Sequence, residues 1–273
     1  MNTVNLYWYN KKPNFGDVLS PIIVEYLSGL KCIHTTNECK KIIALGSILQ
    51  CHPIFNNDII WGAGFRNIYQ DISYTSVDVK LVRGPKTRDM LLKNSIECPE
   101  KYCDPGVLAP FIYNINYNQK IKNELLVILH INDIESDVVN FLQKNNIKYI
   151  TMSLQNNNIL NILNEIACSK YVISSALHGI IVSECMNKQT GVLKLSKGDD
   201  FFKYQDYYLG SGRTLDDIKI TDWRKEYDIS KIIFIKKPKI DFDSLINTFP
   251  LKLKDNDILN KLKEYYNKID IVK

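Results

Sequence analysis

The sequence predicts an α/β protein made of two successive units of alternating strands and helices, each around a parallel sheet, with a cleft between them. Three observations carry this. Short β-branched apolar runs such as "KIIAL" (41–45), "DIIW" (58–61) and "YVISS" (171–175) alternate with helix-length segments. The alternation stops at the polar stretch "NINYNQKIKN" (114–123) and then begins again. The 273 residues exceed the usual size of one compact core.

The first unit covers residues 1–118. "VNLYWY" is strand-like and leads into "NKKPNFGD", a turn whose Asp17 is placed to cap a helix over 18–28, with Pro21 tolerated in its first turn. "KIIAL" and "DIIW" each run into glycine, at "GSIL" and "GAGF", where the chain must turn tightly. "VKLVRGPKTRDMLL" repeats the pattern, with Arg83 at a strand end and Pro85 opening a helix. The second unit covers 119–254: "ELLVILH", a helix over 134–144, "IKYIT", a helix over 157–168, "YVISS", a helix over 180–186 and "TGVLKL". Residues 255–273 carry a last helix, over 255–268, able to cross back to the first unit.

Composition narrows the function. Hydrophobic residues make up 45% and charged residues 24%, enough apolar surface for sizeable cores and outside the disordered range. The net charge of +5 is spread over scattered lysines, so a solvated helix face is favoured over a nucleic-acid groove. Neither a membrane span nor a signal peptide is read, and a cytoplasmic protein is expected. The seven cysteines are odd in number and show no zinc spacing, so reduced, mostly buried thiols and no metal are expected.

Several motifs are absent: the P-loop, a complete dinucleotide fingerprint, H-E-x-x-H and G-x-S-x-G. What remains is polar residues at strand ends, the position that faces a cleft in a parallel sheet. They are Asn14, Gly16 and Asp17; Gly62 and Gly64; Arg83; Asp104; Ser175, His178 and Gly179; and Lys203 with Asp206. His178 and Gly179 read as the joint between a strand and a helix whose free N–H groups suit an anion. A planar guanidinium at Arg83 suits a carboxylate or phosphate through two parallel hydrogen bonds. Each has a plainer reading. His178 could be a satisfied turn histidine, Arg83 a surface partner of Asp89, Asp17 a cap, Gly62 and Gly64 backbone necessities, and Lys203 a solvated lysine paired with Asp206. Glu184, in an apolar helix, reads as a buried structural acid, and Asp199-Asp200 as an acidic loop.

In order along the chain, "NFGD", "WGAGF", "VRGPKTRDMLL", "CDPGVLAP", "SSALHGIIVSE" and "KYQDYY" resemble the polysaccharide pyruvyl transferases, most closely the branch acting on bacterial exopolysaccharides. The resemblance implies two Rossmann-like domains in a GT-B-like arrangement with a central cleft, the first on the acceptor side and the second on the donor side. It implies transfer of pyruvate from phosphoenolpyruvate, a co-substrate, to two hydroxyls of a sugar as a ketal, without a further cofactor. The acceptor would be a sugar or lipid-linked oligosaccharide of a cell-surface polymer such as a capsule, and association with membrane-bound assembly enzymes at the inner face of the membrane is compatible with this. On this reading His178 and Arg83 are catalytic, and Asn14, Gly16, Asp17, Gly62, Gly64, Ser175, Gly179 and Lys203 bind substrate. Many members carry an arginine two residues before the histidine, where this chain has Ala176. Either Lys203 or Arg83 then supplies that charge, or the donor differs. Two alternatives stay open: a glycosyltransferase using a nucleotide sugar on the same scaffold, and a non-catalytic polysaccharide-assembly protein.

Overall fold

A computed structural model describes residues 2–50, 54–68, 72–134, 137–155, 158–195, 201–218, 220–222 and 237–271. The first half holds β1 (Thr3–Leu6), α1 (Phe15–Ser28), β2 (Lys31–His34), β3 (Ile42–Ile43), β4 (Ile59–Trp61), β5 (Asp78–Leu81) and α2 (Pro85–Lys93). Its strands form one parallel sheet in the order β2-β1-β3-β4-β5. A short 3-10 turn (Pro105–Leu108) and α3 (Ala109–Ile112) lead out of it.

The second half holds β6 (Asn123–Leu129), α4 (Asp137–Lys144), β7 (Lys148–Thr151), α5 (Ile159–Ala167), β8 (Ser169–Ser174), α6 (Leu177–Cys185), β9 (Gln189–Lys194), α7 (Phe202–Gly210) and β10 (Ile220–Asp222). These strands form a second parallel sheet in the order β10-β9-β8-β6-β7. Both orders reverse direction once, between β1 and β3 in the first sheet and between β6 and β8 in the second. In an open parallel sheet, the carboxyl ends at such a reversal border a crevice.

The two halves share one apolar cluster, which runs from Leu6, Phe15 and Leu19 through Val107 and Leu108 to Ile128, Ile180 and Leu262. Backbone bonds also join them: Phe15 N–H donates to Met152 O at 2.8 Å and Leu154 N–H to Pro13 O at 2.9 Å. The carboxyl-terminal helices α8 (Phe242–Asn247) and α9 (Ile258–Ile271) lie against the first half as well. Trp61 Nε1 donates to Leu245 O at 3.1 Å, and Lys254 N–H donates to Leu27 O at 2.7 Å.

Three local expectations are corrected. Helix α1 starts at Phe15 with Asn14 as its N-cap, so Asp17 lies inside the first turn and does not cap it. Helix α6 starts at Leu177, which makes His178 its second residue and leaves the joint at Ser175 and Ala176. The reason is Ser174, whose Oγ accepts from Ala176 N–H at 3.0 Å and closes the turn two residues early. "KIIAL" pairs only at Ile42–Ile43, because the chain turns at Gly46, where φ is +108°. Asp199, Asp200 and Cys51 lie outside the described residues.

Among the described cysteines only Cys39 is exposed, and none is in a disulfide. Burial pushes the Cys32 and Cys98 thiols up to about 12, and those of Cys103 and Cys185 well above their ordinary value. A thiol held above its ordinary pKa is less often the reactive thiolate. Brief alkylation at pH 8, read by peptide mass, is expected to modify Cys39 first among these residues. Equal labelling of Cys103 and Cys185 in the folded protein would contradict the buried placement.

Candidate active site

A cleft opens between the two sheets, and its wall follows the carboxyl ends of their strands. From the first half come Lys12 and Asn14 after β1, Ser47 and Gln50 after β3, and Arg66 after β4. From the second come His130 and Asn132 after β6, Met152 after β7, and Ala176 and His178 after β8. Lys203 on α7 completes the rim. Both points of sheet reversal therefore face the same space.

His178 stands at its floor. Helix α6 has no side-chain cap, so the N–H groups of its first turn, at Leu177 and His178, have no carbonyl within the helix to donate to. The imidazole packs against Gly16 of α1, where any β-carbon would overlap the ring at Nδ1. Glycine at 16 is thus a steric requirement of the histidine across the cleft. Asp17 lines the same wall and accepts from Asn14 Nδ2 at 2.8 Å. Burial holds the Asp17 carboxyl above its ordinary value, against the opposing pull of the Asn14 hydrogen bond and of nearby His178. On the far side of the ring, Asp104 Oδ2 lies 3.8 Å from His178 Nε2.

Arg83 does not reach the cleft, which corrects its expected role as a donor clamp. Only 1% exposed, its Nε donates to Asp206 Oδ2 at 2.9 Å, Nη2 to Phe65 O at 2.6 Å and Nη1 to Ser47 Oγ at 2.6 Å. Asp206 also accepts from Thr87 N–H at 2.8 Å and Thr87 Oγ1 at 2.7 Å. The partner of Arg83 is thus Asp206 on α7, not Asp89, which is exposed, and Asp206 is not the partner of Lys203. This pair joins the two halves behind the cleft.

The glycine positions are also structural. A β-carbon on Gly62 would meet the Pro105 ring, one on Gly64 would meet the Arg83 guanidinium at 2.5 Å, and one on Gly179 would overlap Ser174 Oγ. None of the three borders the cleft. Ser175 also stands behind it: its Oγ donates to Asp133 Oδ2 at 2.6 Å and accepts from His130 N–H at 2.9 Å, which shapes the loop after β6. Glu184 is the buried structural acid expected. It accepts from Arg213 Nη1 at 2.8 Å, Thr190 Oγ1 at 2.9 Å and Tyr207 Oη at 2.8 Å, and so ties α6 to α7.

Of the sequence candidates, the fold therefore brings Asn14, Gly16, Asp17, His178 and Lys203 together at the cleft. Sequence reasoning missed Lys12, Arg66 and His130. His130 closes the run "ELLVILH", and the strand-end argument applied to His178 would have found it. Arg66 follows "WGAGF" directly. Lys12 and Arg66 from the first half and Lys203 from the second surround the cleft with cations, where Ala176 offers none. Such a space suits a small, multiply charged anion. Among the described residues no group of three or more His, Cys, Asp or Glu is arranged to hold a metal, and no helix is long and apolar enough to cross a membrane.

A family model described as polysaccharide pyruvyl transferase matches residues 14–196, more than half of the chain. No curated protein sequence matches. Among solved structures, the chain is similar to a functionally uncharacterized protein of Klebsiella pneumoniae subsp. pneumoniae NTUH-K2044, at 16% identity and a TM-score of 0.45, over 76% of this chain and 87% of that one.

Proposed function

The chain belongs to the polysaccharide pyruvyl transferase family, and from that premise we propose that it moves pyruvate from phosphoenolpyruvate to two hydroxyls of one sugar as a cyclic ketal. The observation that supports this best is the joint lining of the cleft by Lys12, Arg66 and Lys203 around His178 at a free helix terminus. Phosphoenolpyruvate carries a carboxylate and a phosphate, and both need cations. The acceptor is a sugar of a cell-surface polysaccharide or its lipid-linked precursor, and a GT-B-like arrangement with the donor against the second half belongs to the same reading.

The chemistry follows from the donor. A proton added to C3 turns the methylene into a methyl and makes C2 electrophilic. Asp17, a carboxyl held above its ordinary value in the cleft wall, is the acid for that step. The first sugar hydroxyl attacks C2 and gives up its proton to His178. The C2–O bond to phosphate then breaks, the phosphate keeps the electron pair, and His178 returns the proton to it. The second hydroxyl closes the ring on C2, and its proton restores Asp17. Donors aimed at the departing phosphate stabilise the transition state more than the ground state, as the free N–H groups of α6 do. The activated group resides in phosphoenolpyruvate itself, so the reading invokes no additional cofactor.

The test is to incubate the protein in D2O with phosphoenolpyruvate and a panel of sugar diols, following phosphate release and the product by NMR. Phosphate release with a ketal whose methyl carries deuterium is expected. A product that keeps the methylene, or consumption of nucleotide sugars in its place, would sink the proposal.

Arg66 offers a second check. Arg66→Gln removes an exposed charge from the first-half wall that faces the donor across the cleft, and a charge-assisted hydrogen bond to an anion is worth about 1.5 kcal/mol or more. The KM for phosphoenolpyruvate should rise about tenfold while kcat changes less. An unchanged KM would place the donor away from the loop after β4.

A further inference from the structure

Asp104 is absent from the mechanism above, yet it is the most deeply buried acid beside it. Its side chain is only 1% exposed, and Oδ1 accepts from Gly106 N–H at 2.8 Å, which fixes the carboxylate's direction. Oδ2 is buried with no hydrogen-bond partner among the described residues, and so is His178 Nε2. The two face each other at 3.8 Å, longer than a hydrogen bond and with no other polar group assigned to either. A buried acceptor left unpaired is costly, so each is the other's available partner.

We propose that Asp104 is the positioning residue of His178, holding the proton on Nε2 so that Nδ1 presents its lone pair to the cleft. The surroundings of the ring agree. Nε2 is the buried nitrogen, while Nδ1 is not among the buried unpartnered atoms and lies along Gly16 at the wall. Gly106, in the same turn as Asp104, passes beside Cδ2, so the turn that aims the carboxylate also seats the ring. The charged groups that face His178 are Asp104 from this turn and Asp17 from α1, with Lys203 of α7 at the rim. Of these, Asp104 is the one directed at Nε2. A carboxylate there selects the tautomer whose other nitrogen can take a proton from a hydroxyl.

The inference rests on His178 meeting the substrate, but its test does not depend on turnover. Nitrogen NMR of 15N-histidine-labelled protein, with His178 assigned by its loss in His178→Asn, reads which ring nitrogen carries the proton when the ring is neutral. The parent should show the Nε2–H form. Asp104→Asn should shift His178 toward the Nδ1–H form and leave the other histidines unmoved. In the transfer assay the same variant should lose about tenfold in kcat with little change in KM, and Asp104→Glu should restore part of the tautomer preference. A His178 tautomer indifferent to Asp104→Asn would overturn the proposal, as would an Nδ1–H form in the parent. A failed transfer assay with the tautomer shift intact would count against pyruvyl transfer and not against the pair.

Discussion

Replacing Arg83 with methionine is expected to destabilise the chain by about 3–5 kcal/mol, because it leaves the Asp206 carboxylate buried without its cation. The side chains of this pair are 1% and 0% exposed, and Arg83 holds two further acceptors, Phe65 O and Ser47 Oγ. Urea unfolding measures the loss. The double variant Arg83→Met, Asp206→Leu should recover part of it, since an apolar pair removes the stranded charge while Thr87 N–H and Oγ1 lose their acceptor. A single variant within about 1 kcal/mol of the parent would mean the pair is solvated, unlike the arrangement described here. The physical point is that Arg83, although it stands at a strand end, faces the helix α7 that links the halves.

The second large effect is on turnover. His178→Asn keeps a hydrogen-bond donor at the start of α6 but removes the group that takes and returns a proton. Turnover should fall by about 10² or more, the lower range for acid-base catalysis, while the KM for phosphoenolpyruvate rises only modestly. Steady-state kinetics of phosphate release, with the fold checked by circular dichroism, decides it. Near-parental turnover in a folded Asn variant would return His178 to a packing role against Gly16, and the proposed proton path would fall with it.

Much of the architecture was legible in the sequence because parallel strands are local signals. Apolar runs such as "ELLVIL" and "YVIS" carry their own β preference, and the polar residue or glycine that ends each run marks the carboxyl end. That rule marks Asn14, Asp17 and His178, and equally His130 at the end of "ELLVILH". The order of the family's motifs is equally a property of the chain alone.

What a strand-end residue faces is a different matter, because it is set by packing between elements far apart in sequence. Arg83 and His178 occupy equivalent places after a strand, yet one is sealed against Asp206, 123 residues on, while the other lines the cleft. Gly16 and Gly64 look alike in sequence; one makes room for an imidazole, the other for a guanidinium. Lys12, after β1, and Arg66, after β4, share the cleft because the parallel sheet brings the ends of strands far apart in sequence to one edge. Sequence by itself determined which residues stand at strand ends, since that depends on neighbours along the chain. The tertiary structure alone decided which of them share a space, since burial and charge pairing depend on neighbours across it.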